Sequence, residues 1–305
     1  MWFKNLQIYR LPAGWNVTTA RLAEQLARHP FQPCGSLDMQ SRGWVSPRGD
    51  DSLVHSLGGQ MLIAFGAEQK LLPASIINQF ARDRAAEIEE QQGYKPGRKQ
   101  MREIREQVTD ELLPRAFSRR RTTFVWIDPL HGWLAVDAAN SGKAEEVLEL
   151  LRKSLDDLPL ALPKTRLSPV GAMTGWLASG EPPAGFTIDR DCELRASGEE
   201  KATVRYSRHA LDANEIRSHI AAGKVATRLA LSWNDRVSFV LTDQLQVKRL
   251  AFLDIVQEEA ESQAETAEEQ FDADFALMTG ELARFLPDLV EALGGEAVEG
   301  ASGAA

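Results

Sequence analysis

Acidic side chains in the last fifth of the chain are the set that comes closest to a catalytic metal site. Asp272, Asp274 and Glu281 lie near one another in sequence, and some nucleases activate water with carboxylate-bound metal ions. Residues two apart on a helix point in different directions, so Asp272 and Asp274 are not expected to converge. A solvated acidic face, or a helix N-terminus that favours negative charge, is the simpler explanation. We therefore expect no metal site, and a metal-dependent nuclease remains an alternative to be tested.

The histidines and cysteines add no catalytic pattern. Zinc sites need clustered ligands and a reactive thiol needs a cationic setting, but no HxH, HExxH or CxxC spacing occurs. A phosphate-binding glycine loop is also excluded, because Asp137 stands where the first glycine before Gly142 and Lys143 would have to be. The sequence predicts a protein that binds rather than catalyses and that needs no cofactor. The residues considered are His29, His55, His131, His209, His219, Cys34 and Cys192.

Two isolated cysteines and the first residues of the chain favour a cytoplasmic location. Thiols far apart in sequence are typical of reduced cysteines in the cytosol. The opening residues MWFKNLQIYRL lack the order of a secretory signal peptide. No apolar run reaches the roughly 18 residues that a membrane span requires, so no membrane partner is expected.

Basic side chains, in contrast, recur in four stretches. Lysine and arginine bind phosphate groups through charge, and arginine also donates paired hydrogen bonds to phosphate oxygens. Each stretch alone could be an ordinary solvated surface, but four in an acidic chain suggest a shared role if folding brings them to one surface. The residues that we assign to this role are Lys95, Arg98, Lys99 and Arg102; Arg115, Arg119, Arg120 and Arg121; Arg205, Arg208 and His209; and Lys248 and Arg249.

The distribution of charge supports a polyanionic partner more than the net charge does. The whole chain carries −9. Residues 254–305 contain 14 acidic residues and one basic residue, Arg284, so they carry −13 and residues 1–253 carry +4. A polyanion responds to the local field rather than to the total charge.

The expected partner is double-stranded DNA, bound without regard to sequence. The chain has no helix-turn-helix, zinc finger or aromatic RNA-binding strand that would read bases. Contacts with the phosphate backbone carry little sequence information. Single-stranded DNA is a second ligand that the same cations would accept.

The predicted elements give an α+β fold with largely antiparallel sheets. Two charged helices, from Ile76 to about Gln92 and from Lys99 to Leu113, are joined by the turn Gly93–Gly97 and form a projecting hairpin. Asp212 is expected to cap a later helix. The C-terminus is helical, and Gly280 and Pro287 predict a break or kink in it.

A proline-rich stretch, 159–169, suggests a boundary between two halves. We predict an N-terminal α/β domain of residues 1–72 plus 115–160. The hairpin, 73–114, projects from it. A C-terminal α/β domain covers 161–305, with a flexible tail at 294–305.

Several long segments resemble the bacterial recombination-associated RdgC family. The matches run in order along essentially the whole chain. They are MWFKNLQIYRL at the start, FQPCGSLDMQSRGWV at 31–45, LLPRAFSRR at 112–120, LLRKSLDDLP at 150–159, AGKVATRLAL at 222–231, FDADFALMTGEL at 271–282 and EALGGE at 291–296.

This resemblance implies a nucleoid-associated protein that forms a ring-shaped homodimer around duplex DNA and restrains RecA-dependent recombination. Phe117 matches an apolar residue that the family places at a dimer contact. Lys95 with its neighbours matches the family's DNA-contacting patch, and Arg208 with His209 matches a second position that affects DNA binding. A closed two-fold ring requires two isologous contacts.

An interaction protein is the alternative from another class. In that reading the acidic C-terminal surface binds RecA directly, and DNA is not the partner. Association with RecA that persists after nuclease treatment would favour it.

Overall fold

The computed structural model describes residues 1–198, 201–211, 214–261 and 265–297. They form an α+β fold with two antiparallel sheets, as predicted. The strands are β1 (Gln7–Arg10), β2 (Gln40–Val45), β3 (Val54–Leu57), β4 (Gln60–Lys70), β5 (Ser118–Asp128), β6 (Trp133–Val136), β7 (Phe186–Ala196), β8 (Thr203–Tyr206), β9 (Lys224–Trp233), β10 (Val237–Thr242) and β11 (Val247–Phe252). The helices are α1 (Thr19–Leu26), α2 (Ala74–Gln92), α3 (Arg98–Leu112), α4 (Ser141–Ser154), α5 (Pro169–Ser179), α6 (Asn214–Ala221), α7 (Asp254–Glu261) and α8 (Ala267–Ala292).

The first sheet has the order β1-β6-β5-β4-β2, and β3 follows β2 along the same edge of β4. Side chains alternate between its two faces, as the two-residue period of a strand requires. Phe65 and Val125 face a core formed with α1 and α4. Leu62 and Trp126 face the opposite way, into a core shared with the second sheet.

The second sheet has the order β11-β10-β9-β7-β8. Its inner face carries Leu229, Leu231 and Phe239, which pack with α5, α6 and α8. Its other face, called the outer face below, carries charged side chains. The register of β7 against β9 shifts between Ile188 and Cys192, and that of β10 against β11 shifts between Ser238 and Val240. Such bulges bend a sheet and redirect side chains.

The segment Lys4–Arg10 connects the two sheets. Leu6 exchanges backbone hydrogen bonds with Val247 of β11 at 2.8 and 3.1 Å, and the Lys4 carbonyl accepts from Leu250. Four residues of the same segment then pair with β6 of the first sheet as β1. Together with the core that both predicted halves share, this pairing ties residues 1–160 to residues 161–297.

The helical hairpin packs chiefly on itself. Ala81, Ile104 and Val108 form a small core separate from the two larger ones. Gly93 ends α2 with φ of 80°, a left-handed conformation that glycine adopts without steric cost. Gly97 is the N-cap residue that precedes α3. The hairpin with its Gly93–Gly97 turn is therefore confirmed.

The predicted break in the C-terminal helix is wrong. Residues 267–292 form one helix that contains both Gly280 and Pro287. A proline removes one backbone donor, but α8 lies between the sheets and is held by packing along its length. Phe275 contacts His55 of β3 with ring centroids 5.0 Å apart, and Phe285 contacts Phe239 of β10 at 4.8 Å.

Smaller differences from the sequence prediction concern single segments. β3 was not predicted, and residues 186–196 form one bulged strand rather than two. Asp212 lies outside the described residues. Residues 294–297, which were assigned to a flexible tail, pair with 164–167, as in the bridge between Thr165 and Glu296.

Both cysteines are free thiols. Within the described ranges, no helix has the length and apolar character that crossing a lipid bilayer requires.

Candidate nucleic-acid interface

The tip of the hairpin carries three of the predicted phosphate-binding residues. Lys95 lies in the turn, and Arg98 and Lys99 lie in the first turn of α3, where no acidic residue occurs. All three side chains are exposed, and none has an ion pair among the described residues. Arg102 follows one turn later and donates to Glu106 at 3.0 Å. The tip therefore presents cations whose charge is available to a ligand, with Arg102 partly neutralised.

The four arginines near the base of the hairpin do not form one patch. Arg115 ends a short 3-10 turn, Leu113–Arg115, and is exposed. β5 begins at Ser118, earlier than predicted, so strand alternation separates its first residues. Arg121 pairs with Glu146 of α4 on one face, whereas Arg120 donates to Glu68 on the other. Arg119 is exposed.

Two cations that the sequence reasoning missed lie beside Arg119 and Arg121. Arg42 of β2 and Lys143 of α4 line the same pocket at the sheet edge. Arg42 lies 3.9 Å from Glu146, the carboxylate that also holds Arg121. Arg42 lies opposite Ala67 of β4, which in turn lies opposite Arg121 of β5. This strand pairing brings the cations together, and it could not be read from the sequence.

A row of alternating charge crosses the outer face of the second sheet. Arg205 of β8 lies opposite Glu193 of β7, which in turn lies opposite Arg228 of β9. Arg205 donates to Glu193 at 2.6 Å, and Arg195 donates to the same carboxylate at 3.1 Å. The row brings residues from three strands together around one carboxylate.

Glu193 is only 3% exposed, although its partners reach solvent. Burial would raise its pKa, but hydrogen bonds from Arg205 and Thr227 and the nearby charge of Arg228 lower the pKa below its usual range. Glu193 therefore stays ionised and positions the arginines around it. Removing the Glu193 carboxylate would leave the positive charges of Arg195, Arg205 and Arg228 close together.

Asp191 is the second carboxylate of this face. It accepts from Arg249 of β11 at 2.5 Å and from the backbone N–H of Arg208 at 2.8 Å. These hydrogen bonds lower the pKa of Asp191. His209 follows directly, and its ring lies 5.2 Å from that of Tyr206.

One pocket on the outer face thus unites residues that are far apart in sequence. Arg205, Lys248 and Arg249 of the predicted set line it together with Asp191 and Glu193. Arg228 also lines the pocket, and the sequence reasoning missed it. Strand alternation was the available signal, since Leu229 and Leu231 face the core and Arg228 must then face outward.

Phe117, the predicted dimer contact, is 84% exposed. Its backbone carbonyl accepts from Leu71, whose side chain is also exposed, and the carbonyl of exposed Met39 accepts from Lys70. Large apolar side chains are thus presented to solvent where the hairpin leaves the first sheet. Such a concentration is typical of a surface that another protein covers.

The acidic residues near the C-terminus do not converge. Asp272 lies 3.4 Å from Arg48 and 3.5 Å from His55, while Asp274 pairs with the Met1 amino group. Glu281 is buried and holds Arg236 and Arg284. Within the described ranges, no group of His, Cys, Asp and Glu is arranged to hold a metal ion. These carboxylates are engaged in tertiary ion pairs, which disfavours the nuclease alternative.

Comparison with known proteins gives matches along nearly the whole chain. A family model described as "Putative exonuclease, RdgC" matches residues 1–296. "Recombination-associated protein RdgC" of Dechloromonas aromatica (strain RCB) is 62% identical over 302 residues, 98% of this chain and 99% of that protein. The proteins of the same name from Janthinobacterium sp. (strain Marseille) and Herminiimonas arsenicoxydans are 61% and 60% identical over 296 residues, each covering 97% of this chain and 99% of the relative.

Proposed function

This chain belongs to the RdgC family, and we propose that it binds double-stranded DNA without sequence preference as a closed ring dimer. Bound in this way, it restrains RecA-dependent recombination and is associated with the nucleoid. The proposal is consistent with the printed name of its relatives, which describes them as recombination-associated.

The observation that carries the proposal is the placement of charge. Cations without an ion pair among the described residues are exposed at the hairpin tip, at the hairpin base and on the outer face; they are Lys95, Arg98, Lys99, Arg115, Arg119, Arg208 and Arg228. Lys248 on the outer face is half-buried and also has no ion pair among the described residues. The strongly acidic part of the chain begins only at Asp254. Cations of this kind release condensed counterions when they neutralise phosphates, and that release drives binding to duplex DNA.

The lack of sequence preference follows from the kind of contact. Arginine and lysine on an exposed hairpin and on strands can reach phosphate oxygens without entering a groove in a fixed register. Base recognition in the major groove requires an element that presents several side chains to base edges. Phosphate contacts alone position a protein on DNA but do not select a sequence.

The ring requires two self-complementary contacts between copies. Exposed Phe117 with Leu71 and Met39 is the apolar surface that we assign to one of them. A duplex held inside a closed ring dissociates only if the ring opens or the DNA has an end. Duplex occupied in this way is withheld from RecA-dependent strand exchange.

Binding to linear, nicked and closed circular duplex, each measured over a range of salt concentrations, tests this proposal. We expect affinity to fall steeply with salt, with a log–log slope of about −0.9 for each phosphate contacted. We also expect the complex with a preloaded closed circle to survive a salt challenge that releases the linear duplex. A flat salt response would exclude phosphate-driven binding, and equal retention on all three substrates would exclude the ring.

Two further measurements distinguish the alternatives. A pull-down with RecA from nuclease-treated lysate should lose RecA if DNA bridges the two proteins, whereas retention would favour direct binding through the acidic surface. Incubation of closed circular plasmid and of linear duplex with Mg²⁺ or Mn²⁺ should leave both intact. Nicking of the circle would support the metal-dependent nuclease alternative, and loss of nucleotides from the ends of the linear duplex would support the exonuclease description of the family model.

A further inference from the structure

An ion pair closes over the pocket on the outer face of the second sheet. Arg249 lies on β11 and Asp191 on β7, and two strands, β10 and β9, lie between them. Their side chains nevertheless meet at 2.5 Å. Strands are about 4.8 Å apart, so the backbones would be separated by roughly 14 Å in a flat sheet. The ion pair therefore requires a curved sheet and spans its concave side.

Both residues of the ion pair lie at irregular positions of their strands. Asp191 lies in the irregular part of β7 between Ile188 and Cys192. Arg249 lies where the register of β11 against β10 shifts, and its φ is 49°. A bulge redirects a side chain relative to its strand, so both irregularities turn their side chains toward each other.

A second strained residue supports the same carboxylate. Arg208 has φ of 54° and donates its backbone N–H to Asp191 at 2.8 Å. A left-handed conformation is unfavourable for a residue with a side chain, and such residues concentrate at functional sites. Two arginines with positive φ therefore donate hydrogen bonds to Asp191, Arg249 through its side chain and Arg208 through its backbone N–H.

The same pocket contains cations that form no direct ion pair with any described residue. Arg228 and Lys248 line the pocket, and within the described ranges neither has a direct ion pair. Arg205 lines it as well, but Glu193 holds it. The pocket therefore keeps an excess of positive charge, and its one partly exposed acid is Asp191, 27% exposed.

We propose that Asp191 is an internal competitor for a backbone phosphate of the bound DNA strand. In the free protein its carboxylate holds Arg249 across the pocket. When DNA binds, a phosphate enters between Arg228 and Lys248 and takes the place of the carboxylate as the partner of Arg249. This inference rests on the proposed function, because it assigns one phosphate of that ligand to a defined pocket.

A phosphate in this pocket would interact with more cations than the Asp191 carboxylate does. Arg249 donates one hydrogen bond to Asp191, whereas it can bind a phosphate through paired N–H donors, and the phosphate also reaches Arg228 and Lys248. An ion pair that solvent can reach contributes little free energy, so its exchange does not prevent binding. Asp191 thus keeps Arg249 ordered in the free protein and weakens DNA binding by a small factor.

The variant Asp191→Asn tests the competition directly. Its amide oxygen can still accept from the Arg208 N–H, but it no longer offers Arg249 a charged partner. We expect affinity for a short labelled duplex to rise about two- to fivefold, as the loss of a weak ion pair implies. Arg228→Gln should lower affinity and make the salt slope shallower by about 0.9.

Asp156→Asn is the matched control. Asp156 is an exposed carboxylate that pairs with Arg28 at 2.6 Å on the side of the first sheet covered by α1 and α4. The two substitutions change the net charge equally, so a general charge effect would be the same in both. We expect the gain to be clearly larger for Asp191→Asn.

A double variant separates local competition from a folding defect. Arg249→Gln removes the shared partner, so Asp191→Asn should raise affinity much less in that background than in the wild-type protein. Equal gains from Asp191→Asn and Asp156→Asn, or an unchanged gain without Arg249, would overturn the inference while leaving duplex binding by the wild-type protein intact. Failure of the wild-type protein to bind duplex would overturn both the inference and the proposed function.

Discussion

Leu71 donates its backbone N–H to the carbonyl of Phe117 at 2.7 Å. This bond joins the end of β4 to the start of β5 and fixes the backbone at Phe117 while its side chain remains in solvent. A rigid, exposed aromatic residue can bind a partner without a large loss of its own conformational freedom.

We therefore expect Phe117→Ala to weaken the homodimer. Aromatic hot spots at protein interfaces contribute about 2 kcal/mol or more, which corresponds to a roughly 30-fold increase in the dimer dissociation constant. Sedimentation over a range of protein concentrations measures this change. Leu130→Ala is the control, because Leu130 is 81% exposed in the β5–β6 turn and has no assigned partner. Identical dissociation constants for both variants would remove Phe117 from the interface.

Charge reversal at the hairpin tip should weaken DNA binding without unfolding the protein. Lys95, Arg98 and Lys99 are exposed, so their replacement by glutamate disturbs no packing. We expect the salt slope to become shallower by about 0.9 for each phosphate contact that is lost. Reversal of Arg21, Arg152 and Lys153 changes the net charge equally on α1 and α4, and it should have a much smaller effect on affinity. Comparable losses in the two triple variants would indicate a general charge effect.

His55 should make stability fall in mildly acidic solution. Burial beside Phe271 and Phe275 lowers the pKa of His55 from its ordinary value of 6.5, although Asp272 and Asp50 act in the opposite direction and Arg48 adds to the lowering. The unfolded chain therefore binds a proton more readily than the folded one. The contribution of neutral His55 is complete above about pH 6.5 and is lost as the pH falls through the folded-state pKa.

Thermal unfolding at about pH 7.5 and about pH 5.5 checks this expectation. We expect Tm of the wild-type protein to decrease between the two, and His55→Gln to reduce the decrease. His209→Gln, at an exposed histidine, should leave it unchanged. If His55→Gln has the same pH dependence as the wild-type protein, another group is responsible.

Arg236 should be important for stability because it compensates a buried charge. It donates to Glu281 at 2.8 Å, and Glu281 is 1% exposed. Removal of one partner of a buried ion pair costs about 3–5 kcal/mol, so we expect Arg236→Ala to lower the free energy of unfolding by that order in a denaturant titration. Arg284→Ala removes the exposed partner of the same carboxylate and should cost much less. Similar losses in both variants would contradict this assignment.

The elements that could be predicted are those with strong local signals. Thr18 caps α1, which is a position that threonine prefers, and Gly93 ends α2 in the left-handed conformation. Asn234 and Asp235 both have positive φ in the turn between β9 and β10, which the pair of residues had indicated. In these cases the physical cause lies within a few residues of the effect.

The parts that could not be predicted depend on distant partners. β3 is a short strand whose side chains are partly exposed, and pairing with β4 stabilises it. Pro287 is accepted inside α8 because the helix packs between two sheets. The pocket on the outer face depends on register, since Arg228 and Arg205 meet at Glu193 only when β9, β7 and β8 are aligned. Single-sequence patterns do not contain that alignment.

The pairing of Lys4–Arg10 with both sheets can be completed only after the second sheet has been synthesised. The hydrogen-bond partners of these residues on β11 are translated about 240 residues after them. Pairing across so long a separation is slow, because the intervening loop must close first. The β1 edge of the first sheet therefore remains unpaired until β11 has been synthesised. During that time a chaperone can bind the edge, or neighbouring nascent chains can aggregate through it.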